Sequence, residues 1–328
     1  MNTREEVPLK KFNVKDKRVK LRKLDANKNK PVKYIKESDV KVTILNDIPN
    51  MDYLPELVMA TWNEDINEFN ASLTEEDRKR FIFRTLQGKF IPTALRSIPI
   101  TFKLENMSWH DVSHLIRHTQ LSYASDCSGD KVIENRPVIL PQAVTDCNCF
   151  EEYDEAMRLL NYCYDKILND GGHIQDARLM LPRTMTTFYY VTGNLHGVID
   201  FIKARIDRQV QPRSDNLIAF KLLLELCEKI PELYFIVNPE MPNNFYIRET
   251  TTNFASKWQP PLPQNSKALK DCDTEFLYDS RDSLPGNSEF VEVWNELLET
   301  FETRKNEYAR KNPEILEIVE DCTIGDWR

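Results

Sequence analysis

The chain carries the run Arg117-His118-Thr119-Gln120-Leu121-Ser122-Tyr123-Ala124-Ser125-Asp126-Cys127-Ser128-Gly129-Asp130, its most informative segment for fold and function. The run opens on a cation and an imidazole and closes on a carboxylate, a hydroxyl and a glycine. Such side chains are suited to holding a phosphorylated ligand that forms hydrogen bonds, rather than to filling a core. A second polar stretch, residues 176–211, supplies further arginines and amides. These two segments together predict a ligand-binding site.

Length and composition indicate a globular protein with a sizeable core. The chain has 328 residues, of which 41% are hydrophobic and 29% charged. Its most apolar stretch, residues 217–227, is interrupted by Lys221 and Glu225, so we expect no membrane span. The start is charged from Arg4 onward and lacks the apolar segment of a secretory signal. Seven irregularly spaced cysteines favour reduced thiols, and we expect a cytoplasmic protein.

Charge is unevenly distributed along the chain. Residues 1–41 contain 14 Lys or Arg and 6 Asp or Glu, a net of +8, whereas the whole chain has a formal charge of -8. This basic arm is either a solvated extension or a contact for nucleic acid or another acidic partner. Phe12 is its only aromatic residue before Tyr34, and the rest of the chain is acidic. We therefore do not expect nucleic acid to be the main ligand.

Periodicity predicts a mostly helical α+β body. Residues 1–41 form the predicted basic arm, residues 42–236 the catalytic domain and residues 237–328 a C-terminal extension, in which the composition of 239–285 indicates long loops. A strand is predicted at 98–104, where Pro99 suits an edge or a bulge, and a turn at 192–194. Helices are predicted at 55–63, from 72–76 to about Leu86 with Gly88 as terminator, and at 109–118, 151–168, 176–190, 195–205, 216–230 and 289–308. For the helix at 216–230, Ser214 or Asp215 is the expected cap.

Two small patterns in the first segment leave alternatives open. His110, His114 and His118 are four residues apart and would line one helix face, which suits either a metal site or a polar pocket. Three ligands spread over two turns rarely converge on one ion, so the pocket is favoured and no metal is expected. Cys127 is either a thiolate nucleophile activated by its basic neighbours or a small residue in a turn.

The second segment places cations beside amides. Arg178 precedes an apolar stretch, and Asp200 and Arg205 lie on one helix with Asn194 just before it. These charges could form internal salt bridges. Arginines that recur beside amides instead indicate an anionic ligand held by bidentate guanidinium contacts. Glycine-rich phosphate loops, either G-x-G-x-x-G or G-x-x-x-x-G-K, do not occur in the sequence.

Residues 52–235 together resemble the flavin-dependent thymidylate synthases. Their signature, R-H-R followed by S and then by E-L-S-G-R, is matched in part, and upstream and downstream segments align in the same order. The signature matches are Arg117, His118, Ser122, Ser128 and Gly129, with Asp126 near the glutamate position. The flanking matches are Thr93, Leu95, Thr101-Phe102, Ala177-Arg178, Leu181-Pro182, Asn194 and Arg205, ending at Gln211.

The resemblance implies a fold, a reaction and a set of site residues. The fold is a small mixed or antiparallel sheet with a helical bundle, assembled as a homotetramer with active sites between subunits. FAD, methylenetetrahydrofolate and NADPH would convert dUMP to dTMP, with reduced flavin supplying hydride, and Arg205 would stabilise the ionised pyrimidine. The implied flavin contacts are Thr93, Arg117, His118, Thr119, Asn194, Leu195, His196 and Asp200. The implied nucleotide contacts are His114, Asp126, Cys127, Ser128, Gly129, Arg178 and Arg205.

The chain departs from the family pattern at the phosphate end. Thr119 replaces the second arginine of R-H-R, Asp130 replaces the last arginine of the signature, and His114 stands where glutamine is usual. A carboxylate at position 130 would repel a phosphate, which Lys131 or Arg136 would then have to hold. We therefore expect one-carbon transfer to C5 of dUMP or dCMP, either thymidylate synthesis or a variant such as hydroxymethylation. A catalytically decayed nucleotide-binding or structural protein and a metal-dependent hydrolase are the alternatives.

Overall fold

Strand β3 organises the main sheet of this computed structural model, which describes residues 24–60, 65–129, 132–133, 135–208, 211–240 and 288–324. The sheet is antiparallel with the order β2-β3-β6-β4. A second sheet pairs β1 with β5 in parallel. The strands are β1 (Tyr34–Lys36), β2 (Lys41–Ile44), β3 (Pro99–Ser108), β4 (Ser122–Ser125), β5 (Val138–Leu140) and β6 (Thr186–Asn194).

Helices surround these sheets, so the α+β class predicted from the sequence is confirmed. The helices are α1 (Leu54–Met59), α2 (Ile66–Ser72), α3 (Glu75–Leu86), α4 (Pro92–Arg96), α5 (Trp109–Leu115), α6 (Gln142–Asp146), α7 (Phe150–Asn169), α8 (Ile174–Ala177), α9 (Leu195–Arg205), α10 (Arg213–Lys229), α11 (Ser288–Lys311) and α12 (Glu314–Ile324). None of the helices in the described ranges combines the length and the apolarity that a membrane span requires.

Alternation along β3 explains its central position. Ile100, Phe102 and Leu104 are fully buried on one face, as the two-residue period of a strand requires. The strand lies between β2 and β6, so the prediction that Pro99 marks an edge strand is wrong. Pro99 is the first residue of β3 and lies beyond the last pair that β3 forms with β2, so its missing N–H costs no bond to that strand. The bulge of β3 falls near its other end, between Glu105 and Met107.

One predicted helix is a strand. Residues 176–190 were predicted as helical, but the chain forms the short α8, a 3₁₀ turn at Arg178–Met180 and then β6. The segment Thr186–Asn194 contains β-branched and aromatic residues almost throughout, which favour a pleated strand. Residues 192–194 consequently close β6 and cap the next helix instead of forming a turn.

Helix ends differ from the predictions at two functional positions. Helix α5 ends at Leu115, so His118 lies in the turn that follows and not on the helix. Helix α10 begins at Arg213 with Pro212 at its N-cap, so neither Ser214 nor Asp215 caps it. The helix predicted from 72–76 is confirmed as α3, with a capping box between Thr74 and Asp77.

The C-terminal extension contributes to the main core. Helix α11, predicted over 289–308, is confirmed, and Phe290, Trp294 and Phe301 are buried in the same cluster as the sheet residues. Phe220 of α10 packs edge-on against Trp294, with ring centroids 4.7 Å apart. The loops predicted for 239–285 and the end of the helix predicted at 55–63 lie largely outside the described residues.

The last part of the predicted basic arm is joined to the body. Residues 24–34 run along α7, where Leu24 and Asn169 exchange hydrogen bonds of 3.0 and 2.9 Å. Lys30 lies 3.4 Å from the buried carboxylate of Asp165, and Tyr34 donates to Asp154 at 2.8 Å. The domain boundaries near residues 41 and 236 stay predictions.

Candidate active site

The turn after α5 carries the first two residues of the signature run. It is closed by the backbone bonds Arg117 N to His114 O and His118 N to Leu115 O. The Tyr123 hydroxyl from β4 lies 2.7 Å from both Leu115 O and His118 O, and it can donate its single proton to one of them at a time. Burial raises the pKa of Tyr123 to about 12, so the hydroxyl stays protonated. Strand β4 therefore fixes the turn that presents Arg117 and His118.

Arg205, the last residue of α9, links this turn to the second segment. Its Nε donates to Nε2 of His118 at 3.0 Å, and its Nη2 donates to His114 O at 3.3 Å. Its Nη1 donates to Gln211 Oε1 at 2.8 Å and lies 3.5 Å from Asp215 Oδ2. The side chain is 11% exposed. Because Nη2 uses only one of its two N–H groups, one donor is available for a ligand.

His118 is held as a neutral imidazole. Burial, followed by the charge of Arg205, lowers the pKa of His118 to about 4. Since Nε2 accepts the Arg205 bond, the ring proton is on Nδ1. The ring also packs edge-on against Phe201 at 4.9 Å. Arg117, by contrast, is exposed and forms no ion pair within the described ranges.

Two buried carboxylates, Asp215 and Asp111, lie close to each other near Arg205. Asp215 is 4% exposed, and its Oδ2 lies 2.9 Å from His114 Nδ1, a close contact that is not a well-aligned hydrogen bond. Burial, and then the charge of Asp111, raise the pKa of Asp215 to about 7, although Arg205 opposes the shift. Asp111 itself accepts from Ser214 Oγ at 2.5 Å. Two carboxylates therefore share this interior, and one of them titrates near neutral pH.

Four of the predicted flavin contacts lie just before or within the first half of α9: Asn194, Leu195, His196 and Asp200. Gln120 bonds to both Asp200 and His196, at 3.4 and 3.3 Å, and His196 Nδ1 lies 3.5 Å from Asp200 Oδ2. The side chain of Asn194 caps α9 by accepting from Gly197 N at 3.0 Å. Its Nδ2 makes no hydrogen bond to any residue that the structure describes.

The remaining predicted flavin contacts differ in accessibility. Thr93 is exposed on α4, which packs against α9, and Thr119 is exposed in the turn after α5. Leu195 is fully buried and its amide donates to Ile98 O at 2.8 Å, so its side chain and amide serve the fold.

The predicted nucleotide contacts at 126–129 lie in the turn that follows β4, whereas Arg117 and His118 lie in the turn that precedes it. Asp126 is buried and forms an ion pair with Arg136, which also donates to Thr186 O at 3.4 Å. Gly129 O accepts from Gln175 Nε2 at 3.3 Å. A Cβ at position 129 would lie 2.3 Å from that nitrogen, so only glycine fits without moving Gln175. This turn is therefore tied to α8, which carries Gln175.

Arg178 follows α8 directly, and α8 carries Gln175, which contacts the turn. Its side chain is exposed and has no ion pair among the described residues. Arg117 and Arg205 adjoin each other, but within one chain the structure records no contact between Arg178 and either of them. Cys127 is exposed in the turn, while Asp130 and Lys131 lie outside the described residues.

The structure does not place His110, His114 and His118 on one helix, which is the arrangement that suggested a metal site. Only His110 and His114 lie on α5, with ring centroids 5.2 Å apart, whereas His118 turns to Arg205. Within the described residues, no group of three or more His, Cys, Asp or Glu side chains is placed to hold a metal ion.

Sequence reasoning missed several side chains that hold the site. The sequence predicts Asp215 only as a candidate helix cap, and it assigns Tyr123 no role. These two residues join the site through pairing of β4 and packing of α10, which local spacing does not encode. Of the partners of Arg205, His114, His118 and Gln211 stand in the segments that the sequence singled out.

Comparison with known proteins gives consistent matches over this region. Residues 44–232 match the Thy1 family, described as thymidylate synthase complementing protein. The chain is 25% identical over 177 residues to a flavin-dependent thymidylate synthase of Pyrococcus furiosus, a span of 52% of this chain and 72% of that protein. It is 27% identical over 176 residues to a flavin-dependent thymidylate synthase of Thermococcus onnurineus, covering 52% and 71%.

A solved structure agrees on the fold. The crystal structure of the UMP/dUMP methylase PolB from Streptomyces cacaoi, bound with 5-Br dUMP, superposes with a TM-score of 0.52 at 16% identity. The superposition covers 61% of this chain and 94% of that one. At this identity the likeness concerns the fold alone, and it confirms the predicted architecture.

Proposed function

The chain belongs to the Thy1 family of thymidylate synthase complementing proteins, and we propose that it transfers a one-carbon group to C5 of a deoxypyrimidine monophosphate. The resemblance predicted from the sequence over 52–235 is confirmed by the matched span. The enzyme class is accordingly a thymidylate synthase-like methyltransferase. Thymidylate synthesis from dUMP is the proposed reaction, and hydroxymethylation is the variant.

The observation that carries this proposal is the bond between Arg205 and His118. It joins the signature run to the second polar segment, 87 residues apart. Isolated salt bridges would leave these segments unconnected. An arginine that is mostly buried, bonded to a neutral imidazole and left with one donor is suited to an uncharged acceptor such as a pyrimidine carbonyl.

The residues predicted to contact the flavin fit FAD in part. Arg117 is a cation without an ion pair among the described residues, which suits a pyrophosphate. Asn194 keeps its Nδ2 donor, and Thr93 is exposed nearby. The carboxylate of Asp200 suits a hydroxyl donor and not a phosphate. A bound, reduced flavin would supply the hydride that completes the transferred group.

The nucleotide would lie between the Arg205 end and the turn at 126–129. Arg136 is tied to Asp126 and brings a cation to that turn, and Arg178, which directly follows the helix that contacts the turn, would supply a second one. These two cations are the proposed phosphate contacts in place of the family's signature arginine. Ser128 and the Gly129 amide would complete the phosphate contacts, with Cys127 and His114 beside the nucleotide.

Arg205 would act on the pyrimidine by electrostatics. Its remaining Nη2 donor would bind a ring carbonyl and stabilise negative charge that develops there, in a site from which water is largely excluded. His118 would hold the guanidinium in place and offer its Nδ1 proton to a ligand. Because both groups donate, they favour the carbonyl-rich edge of uracil over the amino edge of cytosine.

Co-substrates and assembly complete the proposal. Methylenetetrahydrofolate would supply the carbon and NADPH the reducing equivalents. We propose a homotetramer with sites between subunits, because Arg178 and Arg205 do not meet within one chain. Exposed apolar residues support such an interface: Leu179 is 73% exposed, and Leu159 on α7 is 50% exposed.

Ligand binding and product analysis test the function. Purified protein should show the visible absorbance of bound flavin, and dUMP should raise its melting temperature. Incubation with dUMP or dCMP, methylenetetrahydrofolate and NADPH, followed by mass spectrometry, identifies the transferred group. Protein that binds neither FAD nor nucleotide would support the alternative, a decayed family member, for which Thr119 and Asp130 are the motivation.

A further inference from the structure

The connection between α9 and α10 determines where the Arg205 side chain lies. It follows Arg205, the last residue of α9, and contains Gln211, whose amide oxygen accepts from the Arg205 guanidinium. The buried side chain of Asn216 holds this connection, since its Nδ2 donates to Arg205 O at 2.8 Å and to Asp207 O at 3.1 Å. Asn216 is 1% exposed, so this attachment is well protected from water.

Through Arg208, the same connection contacts helix α11 of the C-terminal extension. The guanidinium carbon of Arg208 lies 5.2 Å from the ring centroid of Trp294 and 5.6 Å from that of Phe290. Both aromatic residues are buried in α11, and their rings lie 5.8 Å apart. A planar guanidinium stacked on such rings gains cation–π attraction and is restricted in its motion.

The start of α11 is itself anchored beside this connection. Glu289 accepts from Ser38 Oγ at 2.7 Å and lies 3.4 Å from Lys36 Nζ. Arg213, at the start of α10, lies 3.5 Å from Glu37. The rings under Arg208 are therefore held at a fixed place, since the neighbouring chain segments bind each other.

We propose that Arg208 is a positioning residue, through which helix α11 holds Arg205 and Gln211 in their working geometry. Helix α11 lies outside the span 44–232 that matches the family. The extension is thus assigned a role in the site, in addition to filling the core. The link to nucleotide binding rests on the proposed function, whereas the link to the α9–α10 connection does not.

Hydrogen exchange tests the positioning role without any ligand. The Gln211 amide donates to Asp207 O at 3.0 Å and reports opening of the connection. Arg208→Ala should accelerate its exchange about tenfold, and Arg208→Lys should have an intermediate effect because lysine keeps the charge but not the planar stack. The matched control is Arg304→Ala, since Arg304 of α11 pairs with Glu228 of α10 at 2.8 Å and so joins α11 to the body away from the α9–α10 connection.

Two variants of Trp294 test the aromatic side of the contact with Arg208. Trp294→Phe should keep the Gln211 exchange near wild type, because an aromatic face remains under Arg208, whereas Trp294→Leu should accelerate it. Unchanged exchange in Arg208→Ala, or equal acceleration in Arg304→Ala, would overturn the proposal. So would a Trp294→Phe variant that opens as fast as Trp294→Leu.

Titration with dUMP extends the test to the site. Arg208→Ala should weaken dUMP binding about tenfold, as the same loss of attraction predicts, and leave FAD binding unchanged. Wild-type protein that binds no dUMP contradicts the proposed function, while the exchange measurement still decides the positioning role. Normal dUMP binding by Arg208→Ala with accelerated exchange contradicts only the nucleotide link.

Discussion

Arg205 is the residue on which the proposed chemistry depends most. Arg205→Lys keeps a positive charge but loses the forked donors that reach His118 and Gln211 together. We expect kcat/KM for the nucleotide to fall by about 100-fold or more, as when an oxyanion donor is removed. Initial rates of product formation measure this. The control is Lys203→Ala, an exposed residue of the same helix, which should keep wild-type rates.

Two of the titrating groups with shifted pKa values, Asp215 and His118, affect stability in opposite senses. Asp215 has its pKa raised from 3.8 to about 7, so its contribution is complete below pH 3.8 and is lost as the pH rises through about 7. His118 has its pKa lowered from 6.5 to about 4, so its contribution is complete above pH 6.5 and is lost as the pH falls through about 4.

Asp215→Asn isolates the first of these effects. The asparagine cannot ionise, so relative to the variant the wild type should lose unfolding free energy as the pH rises from about 4 to about 7, while the opposing contribution of His118 is common to both proteins. Urea unfolding of both proteins across that range measures the difference. If the difference between the two proteins is constant with pH, Asp215 does not titrate as its surroundings predict.

At the level of single elements, Asn194 joins helix stability to cofactor binding. Asn194→Ala removes the cap of α9 and should lower the unfolding free energy by about 1 kcal/mol. Asn194→Asp keeps an oxygen for Gly197 N but loses the Nδ2 donor, so it should keep stability and weaken FAD binding. Thermal unfolding and flavin titration separate the two effects. Equal FAD affinity in wild type and Asn194→Asp would remove Asn194 from the cofactor contacts.

Helices with a continuous apolar face were predictable from residue spacing, and β6 was not, although its β-branched and aromatic composition favours a strand. Residues 151–168 and 289–308 form α7 and α11 because their spacing agrees with the burial that tertiary packing imposes. In β6, the strand is selected by pairing with β3 over most of its length, a contact made far along the chain. Local spacing alone could not distinguish it from a helix.

Only the site residues that match the sequence pattern of the family were predictable. Arg117, His118 and Arg205 were named from the sequence, and the last two are in contact. His118 was expected on the helix because a four-residue spacing continues past Leu115, although the chain turns there. The roles of Tyr123 and Asp215 in the site were not predicted, because they arise from strand pairing and helix packing.

For the whole molecule, the core extends beyond the family-matched span into α11. Phe301 is 1% exposed and packs against Phe220 and Tyr234 at 6.4 and 5.1 Å. Phe301→Ala should lower the unfolding free energy by about 3–5 kcal/mol while the protein unfolds in one transition. Denaturant unfolding followed by fluorescence and circular dichroism measures both. Two separate transitions would mean that α11 is an independent unit.

The position of Trp294 also bears on how the protein is made. Synthesis proceeds from the N-terminus, so Arg208 leaves the ribosome long before Phe290 and Trp294 follow it. By then the residues of both sheets and of helices α1 to α10 have been synthesised, but the apolar surface of Phe220 still lacks its contact with Trp294. Helix α11 therefore covers that surface late in synthesis, and chains that terminate before Trp294 would expose an apolar, aggregation-prone surface.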